Sequence, residues 1–335
     1  SDYDTLPDGW EVDNGRDPSF PDYHLASGRD RNCAIVDAGL TCWGLDPFSY
    51  IFEEMTPLLT KPSHLSVEPG PCVIDINKFV CWSKRNEGIA YLNVGGNLGG
   101  YLLGDGRRTV PDYFPALWLF NPTQFSYNSG GRTCFVDDNG VACNGYSGRE
   151  QITIPQLSNP IQVTGGYLHT CALDDSGVVC WGDNLWGQTN VPSLSNPTQV
   201  IAGYASTCAL DDTGVVCWGN NTYDQTTVPA LSNPRLISTH RLGTHTCAMD
   251  DSGVTCWGSN HKGQTDLPAL SNPMQVSTGA THTCALDDTG VVCWGSSLNG
   301  KTIVPNLLID PDGDGYSTQG GADAFPLDRS EWLDT

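Results

Sequence analysis

Cys171-Ala-Leu-Asp-Asp-Ser-Gly177-Val-Val-Cys180 is the stretch from which the fold is read. Two short runs of β-forming residues flank Asp174, Asp175, Ser176 and Gly177. A type I turn over residues 174–176, closed by Gly177 in the left-handed conformation, makes a common hairpin loop. That register sets Leu173 opposite Val178, Ala172 opposite Val179 and Cys171 opposite Cys180. Cross-strand partners at this separation satisfy disulfide geometry. Both faces of the hairpin are apolar, so each hairpin must pack between neighbours, as blades or solenoid layers do.

The unit recurs. The first cysteines of the four clearest copies are Cys171, Cys208, Cys247 and Cys284, at steps of 37, 39 and 37 residues. Cys134 keeps the step of 37 but has Asn144 where the others carry Trp, and two more degenerate copies keep Cys42-Trp43 and Cys81-Trp82. All fourteen cysteines fall into seven Cys-x8-Cys pairs: Cys33-Cys42, Cys72-Cys81, Cys134-Cys143, Cys171-Cys180, Cys208-Cys217, Cys247-Cys256 and Cys284-Cys293. Zinc sites are usually spaced more tightly, and the Cys-x-x-Cys-His signature of attached haem is absent, so the spacing favours disulfides in an oxidising compartment. A loop this short stabilises by about 2–3 kcal/mol per bond on the chain-entropy account.

Glycine (38), proline (22) and tryptophan (10) are abundant and methionine (3) is scarce, which suits many short strands and turns. A net charge of −22, with 16 basic against 38 acidic residues, argues against a phosphate-binding face and hence against nucleic acid. No apolar run reaches the roughly 18 residues of a membrane span. No signal peptide begins at Ser1, so the expectation is a processed form, or a piece, of a longer secreted protein.

The repeat pattern G-x-x-H-T-C-A-L-D-D-x-G-V-V-C-W-G-x-N-x-x-G-Q-T resembles the regulator of chromosome condensation repeat family. The resemblance covers residues 21–309 and is strongest over 125–309. It implies an all-β, seven-bladed β-propeller with one hairpin disulfide per blade. Nuclear members of that family exchange guanine nucleotide on a small GTPase and bind chromatin, which an acidic, cysteine-paired chain does not match. Its secreted bacterial propellers, one of which inhibits β-lactamases by protein contact, are closer in kind.

Both ends are rich in aspartate. Residues 1–20 supply Asp2, Asp4, Asp8 and Glu11 at the ligand spacing of a calcium loop, with Leu6 at the main-chain carbonyl position and Thr5 where glycine is usual. Residues 310–335 open a similar loop with Asp310, Asp312, Asp314 and the Tyr316 carbonyl, and Asp323 replaces a later ligand missing at Thr318 and Gly321. Both segments resemble thrombospondin type 3 calcium-binding repeats, which implies Ca2+ as the bound cofactor. The alternative is a solvated acidic linker.

Within the repeats, His169, His245 and His282 recur two residues before the first cysteine, but Arg31, Gly70, Arg132 and Ser206 take that place elsewhere. A hydrogen-bonding role in packing is therefore expected rather than a metal ring. Trp43, Trp82, Trp181, Trp218, Trp257 and Trp294 read as packing between units. The pairs Asp174/Asp175, Asp211/Asp212, Asp250/Asp251 and Asp287/Asp288 read as turn formers. No catalytic residue stands out.

The step from Cys72 to Cys134 is 62 residues, which marks an insertion at about residues 83–108. Lys84, Arg85, Arg107 and Arg108, followed by Tyr113 and Trp118, make a basic and aromatic candidate contact surface there. An ordinary long loop is the alternative. Asn220-Asn221-Thr222 is the one N-glycosylation sequon.

Together these features predict a secreted, calcium-binding propeller that serves as a protein-interaction, adhesion or structural module of a cell-surface or extracellular, filamentous assembly. Its expected partner is a protein or cell surface, with head-to-tail self-association as one form. The rival readings are an extracellular enzyme acting on polysaccharide through the propeller funnel and a soluble inhibitor of a secreted enzyme.

Overall fold

The hairpin register expected for residues 171–180 is present, with Cys171 opposite Cys180, Leu173 opposite Val178, and Gly177 at φ +112° closing the turn. The computed structural model describes residues 24–36, 39–44, 62–67, 72–75, 78–83, 88–93, 101–102, 108–109, 120–128, 132–144, 153–305 and 307. In six hairpins the paired cysteines are disulfide-bonded with Cα atoms 4.0 Å apart. Cys72 is also disulfide-bonded and faces Cys81 in the same register.

Each hairpin supplies the middle and outer strands of a blade, and a third, inner strand precedes them. The inner strands are His24–Ser27, Pro62–Ser66, Gln124–Asn128, Gln162–Gly165, Gln199–Ala202, Leu236–Thr239 and Gln275–Thr278, for blades 1 to 7 in order. The middle strands are Arg31–Val36, Cys72–Asp75, Arg132–Asp137, His169–Asp174, Ser206–Asp211, His245–Asp250 and His282–Asp287. Outer strands follow across the hairpin turn, for example Gly177–Gly182 in blade 4. Middle strands of blades 4 to 7 are buried along their whole length, because neighbouring blades cover both of their apolar faces.

Six sheets are three-stranded, whereas blade 2 has six strands in sequential order. Its extra strands, Gly88–Asn93, Tyr101–Leu102 and Arg108–Thr109, lie largely within the expected insertion, so this part of the chain extends the blade 2 sheet.

Side-chain bonds between inner strands close the ring. Gln162 Oε1 accepts from the Val200 amide at 2.8 Å, and Thr164 Oγ1 from the Ala202 amide at 3.2 Å. Gln124 and Ser126 serve Val163 and Gly165 in the same way. Blade 7 repeats the arrangement onto blade 1, where Gln275 Oε1 takes the Leu25 amide and Ser277 Oγ the Ser27 amide, both at 2.8 Å. These bonds pair main-chain donors that the three-stranded sheets leave over.

A second knot joins the middle strands. The Thr207 hydroxyl donates to the Gln188 carbonyl at 2.8 Å, and Trp218 Nε1 donates to the same oxygen at 2.9 Å. Since its one proton is used, Thr207 Oγ1 accepts from His169 Nε2, 2.9 Å away in the preceding blade. His245, Thr283, Gln264 and Trp294 repeat the pattern. At closure, His282 Nε2 donates to Asn32 Oδ1 while Asn32 Nδ2 and Trp43 Nε1 donate to the Lys301 carbonyl. The three histidines are thus neutral Nε2–H tautomers, and their buried Nδ1 atoms have no partner. The packing role expected of these histidines and tryptophans is the one observed.

The paired aspartates form the turns, as expected. Asp174 Oδ1 accepts from the Ser176 amide and hydroxyl, and Oδ2 from the Ser158 amide of the incoming link. Burial raises this carboxyl's pKa, but the Ser176 and Ser158 bonds outweigh it and hold the group below its ordinary value.

Burial lowers the pKa of His169 to about 4 and of His245 and His282 to about 3, from 6.5. The unfolded chain takes up these protons near pH 6.5, whereas the folded protein resists until about pH 4 or 3. Stability therefore falls as pH drops through that window, by about 1.4 kcal/mol per pH unit for each histidine. Denaturant titrations between pH 7 and 4.5 should show this loss. His245→Ser, which installs the residue found at position 206, should make the slope shallower by about 1.4 kcal/mol per pH unit. A pH-independent midpoint, or an unchanged slope in the variant, would contradict the tautomer assignment.

Candidate functional site

The two ends of the propeller differ in chemistry because the repeat sends different residues to each. Hairpin tips lie at one end. The turns from inner to middle strand and the loops after the outer strands lie at the other, as the pairings of Gly165 with Thr170 and His169 with Gly182 require. All seven inner strands line an axial channel of about 360 Å3, and we refer to the turn-bearing end as its mouth.

Among the residues whose side chains are described, the hairpin-tip end carries ten aspartates, two at each of five consecutive blades from Asp137/Asp138 to Asp287/Asp288, against one basic residue, Arg235. The mouth end carries six basic residues, Arg29, Arg31, Arg132, Arg241, Lys262 and Lys301, against Asp30, Asp183, Asp224 and Asp266. Among the described residues of this strongly acidic chain, basic side chains thus outnumber acidic ones at the mouth end.

The mouth face also exposes large apolar side chains. In blade 4 the loop after Gly182 is held from inside by Gln188, whose Nε2 donates to Asp183 Oδ2 and whose Oε1 accepts the Trp186 amide. This turns Leu185 and Trp186 outward, 80% and 53% exposed. Tyr223 occupies the equivalent loop of blade 5 and meets the His261 ring of blade 6 edge-on. Nearer the axis, Tyr167 and Tyr204 stack at 4.7 Å between ring centroids, and Tyr204 remains 43% exposed. The turns that present them touch, since the Tyr167 amide donates to the Gly203 carbonyl at 3.2 Å. Gly166 permits this approach, because a Cβ there would lie 2.5 Å from that same carbonyl oxygen.

The blade 6 turn sends a side chain across the channel mouth. Six residues, 240–245, separate the paired Thr239 and Thr246 of blade 6, against four, 166–169, between Gly165 and Thr170 in blade 4. The longer turn carries Arg241 into the channel lining and over Tyr127 of blade 3, on the other side of the ring, with its guanidinium carbon 5.0 Å from the ring centroid. Burial, and then repulsion from Arg29, lower the Arg241 pKa to about 10. A desolvated cation over an aromatic face is worth up to about 2 kcal/mol.

Lys301 replaces the loop glutamine in blade 7. Its Nζ donates to the Arg29 carbonyl at 3.2 Å and Thr281 Oγ1 at 2.9 Å, and lies 3.7 Å from Asp30. Asp30 also meets Arg29 Nε at 3.4 Å.

Among the described residues that line the channel there is no carboxylate; burial lowers the pKa of the lining His64 to about 4 and of His240 to about 3, and raises that of Tyr127. What the mouth offers is cationic hydrogen-bond donors beside aromatic rings, a means of holding an anion.

Most residues singled out in the sequence lie outside the described structure: Asp2, Asp4, Leu6, Asp8, Glu11, Asp310, Asp312, Asp314, Tyr316, Asp323, Lys84, Arg85, Arg107, Tyr113 and Trp118. Arg108 falls in the last strand of blade 2. Among the described residues no cluster of His, Cys, Asp or Glu is arranged to hold a metal ion. Asn220 of the sequon is 9% exposed, and its Oδ1 accepts from the Thr222 amide and Gln225 Nε2, so its side chain serves the loop. The basic and aromatic surface that is described lies at the channel mouth. The sequence signal for it is the 39-residue step from Cys208 to Cys247.

The description "Regulator of chromosome condensation (RCC1) repeat" matches residues 161–188, 198–225 and 275–301. The chain carries RCC1 repeats. Solved structures with a similar fold include the entire ectodomain of the Physcomitrella patens receptor kinase CR4, at 20% identity over 82% of this chain and 73% of that one, with a TM-score of 0.55. Kap60 bound to yeast RCC1 (Prp20) matches at 14% identity over 75% and 74%, with a TM-score of 0.53. Human WBSCR16 matches at 17% identity over 81% and 86%, with a TM-score of 0.52. These likenesses establish the RCC1-type propeller fold of the repeats. No curated protein matches the chain in sequence.

Proposed function

We propose that this protein is a secreted, non-enzymatic propeller that binds a protein partner through the mouth face, as an interaction or structural module outside the cell. The observation that carries this reading is the asymmetry of the two ends. Leu185, Trp186, Tyr204 and Tyr223 stand exposed on the same face as Arg29 and Arg241, while the opposite face is a rim of aspartates. Exposed aromatics with arginine are the side chains that dominate protein-binding energy. The paired cysteines support an oxidising, extracellular setting, as does the likeness to a receptor-kinase ectodomain.

In this reading the flanking segments bind Ca2+ in thrombospondin type 3-like loops, through Asp2, Asp4, Leu6, Asp8 and Glu11 at one end and Asp310, Asp312, Asp314, Tyr316 and Asp323 at the other. The support is the chemistry of the donor set, alternate carboxylates with a main-chain carbonyl, which suits a hard cation of six to eight oxygen ligands.

A photo-crosslinking residue placed at Tyr204 should give protein adducts on exposure of the full chain to its native extracellular fraction, whereas the same residue at Asp212 should give few. Equal adducts at both positions would overturn the assignment of the face. Calcium should be tested by isothermal titration of chelator-stripped protein. Heat of binding that is lost in the Asp312→Asn/Asp314→Asn variant is expected, and no heat in the unaltered chain would refute the calcium loops.

A further inference from the structure

We propose that the outer strands of blades 4 and 5 are docking edges that take a further strand, an uncharged β-forming segment of another protein followed by lysine or arginine. This surface lies on the circumference of the ring, away from the mouth face.

The cysteines decide which way the main chain points. In an antiparallel pair, opposed residues whose Cα atoms lie close are the ones that exchange no hydrogen bonds with each other. Cys171 and Cys180 stand with Cα atoms 4.0 Å apart, and so do Cys208 and Cys217. The N–H and C=O groups of Cys180 and Cys217 are therefore turned away from the middle strand, as are those of Val178 and Val215 two residues before them. Outer strands come last in the order of their sheets, so these groups face an open edge. Among the described residues, no main-chain bond from a loop takes them up. Val178, Cys180, Val215 and Cys217 are half-buried, not covered. Natural sheets protect such an edge with charge or proline. Gly177–Gly182 and Gly214–Gly219 both read Gly-Val-Val-Cys-Trp-Gly and carry neither.

Blade 2 shows what the edge accepts. Its outer strand, Lys78–Ser83, holds Cys81 in the same register and pairs on the far side with Gly88–Asn93, so that Cys81 faces Ala90 and Phe79 faces Leu92. The added strand, Gly-Ile-Ala-Tyr-Leu-Asn, is uncharged and runs from the mouth end toward the hairpin tip. A strand taken in the same sense by blade 4 or 5 would leave at the tip, beside the exposed Asp175 or Asp212. These carboxylates are bonded by neutral groups, Asn159 Nδ2 and Asn196 Nδ2, each at 2.6 Å. A basic residue just after the incoming strand would meet them. The chain's own charge of −22 favours such a partner over a second copy. In strand addition the main-chain bonds supply affinity, and flanking charge selects the partner.

The probe is a synthetic peptide, Gly-Ile-Ala-Tyr-Leu-Asn followed by two lysines, titrated into the full chain and read by NMR hydrogen exchange. The Val178, Cys180, Val215 and Cys217 amides should exchange fast in the free protein and slow by about tenfold or more with peptide bound. The same peptide ending in two glutamates should bind about tenfold more weakly at low salt. Val215→Pro removes one outward N–H and leaves the ladder to the middle strand intact. It should abolish the protection of Cys217 while that of Val178 and Cys180 remains, and the surviving blade 4 protection shows that the variant is folded. No protection on titration, protection confined to mouth-face amides, equal binding of the two peptides, or full protection of Cys217 in the proline variant would overturn the proposal. Slow exchange of the four amides before peptide is added, in a chain that sediments as a dimer, would also overturn it, because a second copy would then hold the edge.

Discussion

Main-chain amides at the inner edge of each blade need acceptors, and the preceding blade supplies them. A three-stranded sheet with a four-residue inner strand leaves donors such as Val200 and Ala202 outside its own ladder, and Gln162 and Thr164 take them up. The same bonds from Gln275 and Ser277 to Leu25 and Ser27 join the last blade to the first without exchanging a strand. An open ring would leave those amides unpaired at a cost of about 1–3 kcal/mol for each group buried without a partner. Closure also builds the mouth, because Arg29 comes from blade 1, Arg241 from blade 6 and Lys301 from blade 7. Fold and candidate site therefore depend on one repeated interaction.

Division of labour within the repeat follows from this. Disulfides staple middle to outer strands, within a blade. Between blades act the part-buried inner-strand glutamines and the buried Thr207, Thr283, His169, His245, Trp218 and Trp294. Glycine at 166 and 279 lets adjacent turns touch, since at either place a Cβ would lie 2.5 Å from a neighbouring carbonyl oxygen. With the interior so committed, variation is left to the loop tips, where Trp186, Tyr223 and Arg241 depart from their counterparts. Function in repeat folds resides in such departures.

Much of this was legible in the sequence, for a physical reason. The hairpin is a local structure whose register is fixed by a four-residue turn and a cross-strand cysteine pair, so spacing alone gives its pairing. Histidine, tryptophan and aspartate recur at fixed offsets, and their structural roles follow from that regularity. The inner strand was not legible, because four residues such as Gln-Val-Thr-Gly carry one buried apolar side chain and too little alternation. Nor was the mouth, whose residues lie far apart in sequence and meet only after closure. The insertion is legible by the 62-residue step between Cys72 and Cys134, and its described portion extends the blade 2 sheet.

Native-state hydrogen exchange of the Leu25 and Ser27 amides tests the account most directly. If the ring closes through Gln275 and Ser277, these amides should exchange as slowly as those of Val200 and Ala202, and Gln275→Ala should speed Leu25 by roughly tenfold or more, the effect of losing about 1.4 kcal/mol of protection. Fast exchange of Leu25 and Ser27 in the unaltered protein, or no change on removing Gln275, would contradict it.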